Sequence, residues 1–335
     1  MTEFDAAASE DDLRQALVRA QRQLAQAKDR NEHLVRATLE GARDAMLALG
    51  PVPKVPSPKP DRRTRSDEVA LWHLTDWQGG KRTADYDRDV MRTRLMRFCD
   101  KAERITEIQR SARPIRRCVV ALGGDMVEGL FNFPGQAFEV DATLFGQFTY
   151  VSRLIVDVVR RALALYEAVD VVSEWGNHGR VGSKRDNVPP ADNIDRMCYH
   201  LAREILGPDA RLTWPDCPTG IQRIEAGAYT ALLCHGDEVG RSGFASPTTF
   251  QAWGTRQRVA QPQPFRDIYV GHFHRHAQEP LADGVGAIYW TGSPESGNTY
   301  ALDGMAAAGV PSQRLHFIDP ERGRVTSIHQ VWLDA

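Results

Sequence analysis

Along this chain, short apolar runs alternate with longer stretches in which apolar positions return every three or four residues. The runs at 69–74, 118–122, 169–173, 229–234 and 268–270 have the length and bulk of buried strands. Residues 88–109, 143–168 and 192–205 carry the helical period between several of them. Strands that alternate with helices predict an α/β protein. Towards the C-terminus the pattern turns more β-like, with strands expected at 287–291, 314–317 and 325–333. A Pro-Glu-Arg-Gly turn joins the last two.

Before this region, residues 11–49 read as one helix. Steps of four and three from Leu13 reach Leu17, Ala20, Leu24, Ala27, Asn31 and Leu34, a heptad seam with one polar position. Two outcomes stay open: a short coiled coil that makes the chain a homo-oligomer, or an amphipathic helix laid on its own domain. The following segment holds five prolines between Gly50 and Asp61, which stop the helix and favour an extended, semi-rigid spacer. Arg62, Arg63 and Arg65 read as linker charge. The expected organisation is a helical segment 1–49, a Pro-rich basic linker 50–67 and a main domain 68–335.

Composition narrows the classes. Lys and Arg number 42 against 44 Asp and Glu, a net charge of −2, so no global positive field exists to hold DNA or an anionic membrane. Any nucleic-acid contact is then local. The five cysteines are scattered and never in CxxC spacing, which disfavours a disulfide framework or a structural zinc site. With no secretory-type apolar segment near residue 1 and no membrane-length apolar run, the expectation is a cytoplasmic protein without a membrane partner.

The chemistry follows the strands. The five runs lead into Asp76-Trp77-Gln78, Gly124-Asp125, Asn177-His178, His235 and His272-Phe273-His274. Ligands in layered α/β folds bind beyond the carboxyl ends of strands, so these five loops are expected to converge. Two carboxylates, an Asn, a Gln and four imidazoles are too many donors for one four-coordinate zinc and suit a pair of ions. The mixture of carboxylate, amide oxygen and imidazole favours Mn, Fe, Zn or Ni over calcium. A P-loop and a nucleophile elbow are both missing, because neither GxxxxGK[ST] nor GxSxG occurs.

The blocks GDMVEG at 124–129, GNH at 176–178, His235 and GHFH at 271–274, in that order, resemble the calcineurin-like metallophosphoesterases over roughly residues 69–295. The resemblance implies a four-layer α/β/β/α sandwich, here with an N-terminal helical extension. It implies that Asp76, Gln78 and His274 hold one divalent ion, that Asn177, His235 and His272 hold the second, and that Asp125 bridges them. It further implies hydrolysis of a phosphate ester by a metal-bridging hydroxide, with His178 as general acid. Two positions depart from the family. Gln78 stands where His is usual, and a neutral amide moves the preference towards Mn²⁺ or Mg²⁺. Gly179 stands where an acidic residue often orients the histidine, which leaves Arg180 to assist by binding the phosphoryl group.

Similar proteins act on nucleic acids, cyclic nucleotides, nucleotides and phosphoproteins. The basic loop after His178 and the aromatics Phe131, Phe133, Phe138, Phe145, Phe148 and Tyr150 tilt the reading towards a phosphodiester in a nucleotide or nucleic acid. Phe244, Phe250 and Trp253 fall where a lid or rim would lie. The alternatives are a DNA exonuclease subunit, a phosphomonoesterase or protein phosphatase, and a metal-bearing interaction scaffold without turnover.

Overall fold

The computed structural model describes residues 52–130, 136–181, 191–239, 246–297 and 309–334, with scattered positions between 15 and 48. The chain separates into two units, Met1–Leu49 and Gly50–Ala335. In the first, the described residues are helical, and Leu17 is 59% exposed. The other seam positions, Leu13, Ala20, Leu24, Ala27, Asn31 and Leu34, lie outside the described residues.

The second unit begins with an extended segment that is tied along the body rather than left as a spacer. The Val55 carbonyl accepts from Arg211 at 2.8 Å and the Asp61 carbonyl from Arg116 at 2.6 Å, while the Asp61 amide donates to Glu167 at 2.8 Å. Arg63 and Arg65 donate to the carbonyls of Arg110 and Ala112. These two linker arginines are thus spent on the protein's own backbone.

Two sheets follow. The first has the order β11-β10-β1-β2-β3-β4 and the second β5-β6-β7-β9-β8. The first contains β1 (Val69–Leu74), β2 (Arg117–Gly123), β3 (Ala168–Glu174) and the short β4 (Leu212–Thr213), all parallel, with β10 (Ser312–Asp319) and β11 (Arg324–Trp332) antiparallel at one side. The second has β6 (Tyr229–Cys234), β7 (Asp267–Val270) and β9 (Ala287–Trp290) parallel, flanked by antiparallel β5 (Ile221–Ala226) and β8 (Ala277–Pro280).

The largely apolar character of β1 has a simple cause: both of its faces are buried. Leu71 joins Val119 and Ala121 against Ala231, Leu233 and Tyr269 of the other sheet. Trp72, on the opposite face, meets Phe98 of α1 (Arg88–Arg110) edge-on at 5.4 Å between ring centroids. The other helices are α2 (Leu144–Leu165), α3 (Ile194–Leu206) and α4 (Pro247–Ala260). Asp87, Thr143, Asn193 and Ser246 cap the four N-termini, each side chain accepting from an amide of the first turn.

Phe250 and Trp253, which fall where a lid or rim would lie, are core residues instead. Both sit on α4 and pack with Leu232, Ile268, Ile288 and Trp290 in a core on the second sheet. Phe148 is likewise buried, whereas Phe138 is 92% exposed and Phe145 half-exposed. Phe131, Phe133 and Phe244 lie outside the described residues. All five cysteines are buried and unpaired. No helix among the described residues is long and apolar enough to cross a membrane.

The interior also holds a polar chain. Asp267 accepts from the Tyr229 hydroxyl at 2.8 Å, the Tyr229 and Tyr269 hydroxyls lie 3.1 Å apart, and Tyr269 meets His316 at 2.9 Å. Arg314 continues from His316 at 3.0 Å to Thr291 at 3.2 Å, and Thr291 meets His73 at 2.7 Å. Arg314 is fully buried with no carboxylate partner among the described residues, held by the carbonyls of Ala277 and Trp290 and lying over the Tyr289 ring at 5.2 Å. Burial lowers its guanidinium to about 10.

Candidate metal centre

The five loops expected to converge do so. Asp76 and Gln78 leave β1, Asp125 leaves β2, Asn177 and His178 leave β3, His235 leaves β6, and His272 and His274 leave β7. The donor atoms of Asp125, His235 and His272 all lie within 4.8 Å of one another. His235 Nε2 is 3.0 Å from Asp125 Oδ2 and 3.2 Å from Asn177 Oδ1. On the other side, His274 Nε2 lies 3.5 Å from Asp76 Oδ1 and 3.3 Å from the Gln78 amide. Gln78 reaches Asp125 Oδ2 at 3.4 Å, so Asp125 is the group common to both halves.

The backbone marks the same residues. Among the described residues, the non-glycine positions with positive φ are Asp76 (56°), Gln78 (48°), Asp125 (52°), His272 (65°) and His274 (50°). Left-handed backbone is unfavourable for L-residues and clusters at functional sites. Each of the five turns its side chain sharply off the end of a strand. Glycine supplies the clearance where two such turns touch: a Cβ on Gly176 would stand 2.1 Å from Asp125 Oδ1, and one on Gly271 2.7 Å from Asp76 Oδ2.

Several anchors were not singled out from the sequence. Asp195, buried in the first turn of α3, accepts four backbone N–H groups: Asp125 at 2.9 Å, Met126 at 3.0 Å, Val127 at 3.1 Å and Gly176 at 2.9 Å. It thereby clamps the loop bearing Asp125 to the loop bearing Asn177. Asn193 caps Asp195 and donates to the Gly176 carbonyl at 2.8 Å. Glu295 holds His274 Nδ1 at 2.9 Å, and the Gly123 carbonyl holds His235 Nδ1 at 2.8 Å, which fixes each ring with Nε2 towards the cluster. The Asn193 cap was legible; that Asp195 reaches back some 70 residues was not.

His178 sits beside the cluster with its amide on Asp125 Oδ1 at 2.7 Å and Nε2 4.0 Å from Oδ2. Glu128 supplies the carboxylate that Gly179 lacks. Its carboxylate lies 3.4 Å from His178 Nδ1 and its carbonyl 2.8 Å away. Lys81 is buried against Glu128 and Glu139, so the Gly-Gly-Lys before it is not a free phosphate loop. Arg180 is placed at the same rim with its guanidinium on Asp237.

The electrostatics follow from packing. Burial opposes charge on His178, but Asp125 and Glu128 outweigh it and raise the imidazole to about 9. Burial likewise opposes charge on His235 and His274, yet Asp125 in one case and Asp76 with Glu295 in the other lift both well above the usual histidine range. His272, buried next to His235, falls to about 4. Asp125 lies well below the carboxylate range despite burial, because His235 and His178 face it.

The donor set fits metal. Buried carboxylate and imidazole groups aim their free atoms at common points, and Gln78, 1% exposed, bonds through its Nε2 with Asp125 and His274 while its Oε1 has no hydrogen-bond partner among the described residues. Fold and site together define a two-sheet α/β protein with a candidate divalent-metal centre. The chain resembles the calcineurin-like metallophosphoesterases in the blocks named above, and the fold brings those blocks to one place.

No family model and no curated protein matches the chain. Among solved structures it is similar to zinc-bound Vps29 from Entamoeba histolytica (14% identity, 79% of this chain and 99% of that one, TM-score 0.34). It is also similar to a hypothetical protein from Pyrococcus horikoshii (12%, 79% and 89%, TM-score 0.40). A third is a predicted phosphoesterase from Streptococcus pneumoniae (9%, 79% and 99%, TM-score 0.29).

Proposed function

We propose that this chain is a metal-dependent phosphoesterase that hydrolyses a phosphodiester in a nucleotide or nucleic acid. The carrying observation is the convergence of seven metal-capable side chains from five strand ends, five of them on left-handed backbone. In this reading Asp76, Gln78 and His274 hold one divalent ion, Asn177, His235 and His272 the other, and Asp125 both. The two-sheet body with helices on either side is then the four-layer α/β/β/α sandwich, and residues 1–49 pair two copies of the chain.

Bound divalent ions supply Lewis acidity towards the phosphoryl group and a nucleophilic hydroxide at neutral pH. The chain does the rest. Asp125, His235 and Asn177 set the spacing of the centre, and Asp195 fixes the backbone of two of the loops. His178, raised to about 9, keeps a proton at neutral pH and delivers it from Nε2 to the leaving alkoxide, while Glu128 orients the ring through Nδ1. Arg180 exchanges Asp237 for a phosphoryl oxygen when substrate binds. The neutral Gln78 amide makes the first position weaker and favours Mn²⁺ or Mg²⁺.

The test is hydrolysis of bis-(p-nitrophenyl) phosphate beside p-nitrophenyl phosphate with Mn²⁺, for the parent and Asp125→Asn. Diester turnover lost in the variant supports the proposal. Turnover of the monoester alone replaces it with a phosphatase, and no turnover of either or of DNA and cyclic nucleotides leaves a metal-bearing scaffold.

A further inference from the structure

A second concavity lies where β7 and β9 begin, at the end of the second sheet opposite the metal-centre loops. It is a cleft of about 470 Å³, lined among others by Arg266, Asp267, Gln278, Tyr289 and Arg324. That volume is in the range of small-molecule sites. Gly286 also lines it and lets its segment pass close to β7, since a Cβ there would fall 1.8 Å from the Arg266 carbonyl.

The charges in the cleft do not cancel. Among the described residues, neither Arg266 nor Arg324 forms an ion pair, although the neighbouring Arg258 does, with Asp283. Asp267 stands beside Arg266, yet both of its oxygens are already engaged. Oδ2 takes the Tyr229 hydroxyl at 2.8 Å and Oδ1 the Ala287 amide at 2.8 Å. The polar chain from Tyr229 through Tyr269 to His316 holds that arrangement from inside the core. Asp267 is 2% exposed, and burial raises its carboxyl above the usual range. Arg266 and Arg324 therefore line a roomy cleft whose carboxylate, Asp267, already has both oxygens engaged, and Gln278 lines it as well.

We propose that this cleft binds a small oxyanion-bearing molecule, phosphorylated or carboxylated, between Arg266 and Arg324. Guanidinium forks match both carboxylate and phosphate oxygens, so the two sources share one chemistry. The site is separate from the metal centre and does not depend on the reading of that centre as a phosphoesterase.

The test uses the full chain carrying Asp125→Asn, which weakens competing anion binding at the metal centre, and repeats it on the unsubstituted chain after chelation. Inorganic phosphate and acetate are titrated calorimetrically at low ionic strength, with and without Arg266→Ala plus Arg324→Ala. The expected result is saturable binding of at least one anion in both preparations that weakens at least tenfold when both arginines are replaced, at unchanged melting temperature. The better-bound anion identifies the headgroup. Equal affinity with and without the arginines overturns the proposal, and so does the failure of both anions to bind. Arg324→Ala alone, at an exposed strand position, gives the same reading should the double variant fold poorly.

Discussion

Replacing Asp195 by alanine tests whether the clamp beneath the metal centre is what holds it together. The substitution leaves four buried backbone N–H groups, those of Asp125, Met126, Val127 and Gly176, without their acceptor. An unsatisfied buried donor costs about 1–3 kcal/mol. The vacated volume is about that of one water, which would satisfy roughly half of them, so the expected loss is about 3–5 kcal/mol. For a domain of this size that lowers the melting temperature by roughly 6–15 °C. Asp195→Asn should do nearly the same damage. Oδ1 serves Met126 and Val127 while Oδ2 serves Asp125 and Gly176, so an amide NH₂ must face one pair of donors with another donor.

The loss should also depend on metal. Burial first, and the Asp125 charge second, raise the Asp195 carboxyl to about 6. A cation at Asp125 offsets that repulsion, so the clamp is stronger in loaded protein. Melting curves of parent and variants, in chelator and in Mn²⁺, read the stability. Calorimetric titration with Mn²⁺ should show affinity about 10- to 100-fold weaker, the usual effect of losing a group that orients ligands. Melting within 2 °C of the parent together with unchanged Mn²⁺ affinity would refute the reasoning.

Three further outcomes are expected. His235 and His274 carry raised values in the metal-free protein, so each holds a proton at neutral pH that a cation must displace. Metal binding should then release protons and tighten as pH rises, which titration in buffers of different ionisation enthalpy measures; binding without proton release contradicts the ring assignments. Gly176→Ala forces a Cβ to within 2.5 Å of the Asp125 amide nitrogen, a backbone atom that cannot swing aside, and should cost about 1–3 kcal/mol in a thermal melt. His178→Gln should slow hydrolysis of a diester with an alkoxide leaving group by about 10²-fold or more but affect a p-nitrophenyl ester far less, since p-nitrophenolate departs without a proton. Equal losses on both substrates would remove His178 from the acid role.

The strands that form the frame were readable because burial on both faces gives mostly apolar runs, as in β1, whose Leu71 and Trp72 face opposite cores. The edge strands were not. In β5, Gln222, Arg223 and Glu225 sit among the apolar positions, and β8 reads Ala-Gln-Glu-Pro, so neither has a pattern that distinguishes strand from loop. Helix α4 was missed for a similar reason, its Phe250 and Trp253 being sparse among polar residues, although Ser246-Pro247 is a recognisable helix start. The candidate ligands were legible because they follow strands within one to four residues. Their supports were not: Asp195 and Glu295 reach the centre through pairings that only the fold creates.

The left-handed turns under Asp76, Gln78, Asp125, His272 and His274 bear on how this chain can change over time. Each costs on the order of 1 kcal/mol, and the five together approach the whole net stability of an ordinary domain. Glycine at any of them would relieve that cost, so for a molecule that had stopped using the cluster, drift would run downhill towards its erasure. The five side chains stand against that slope at once.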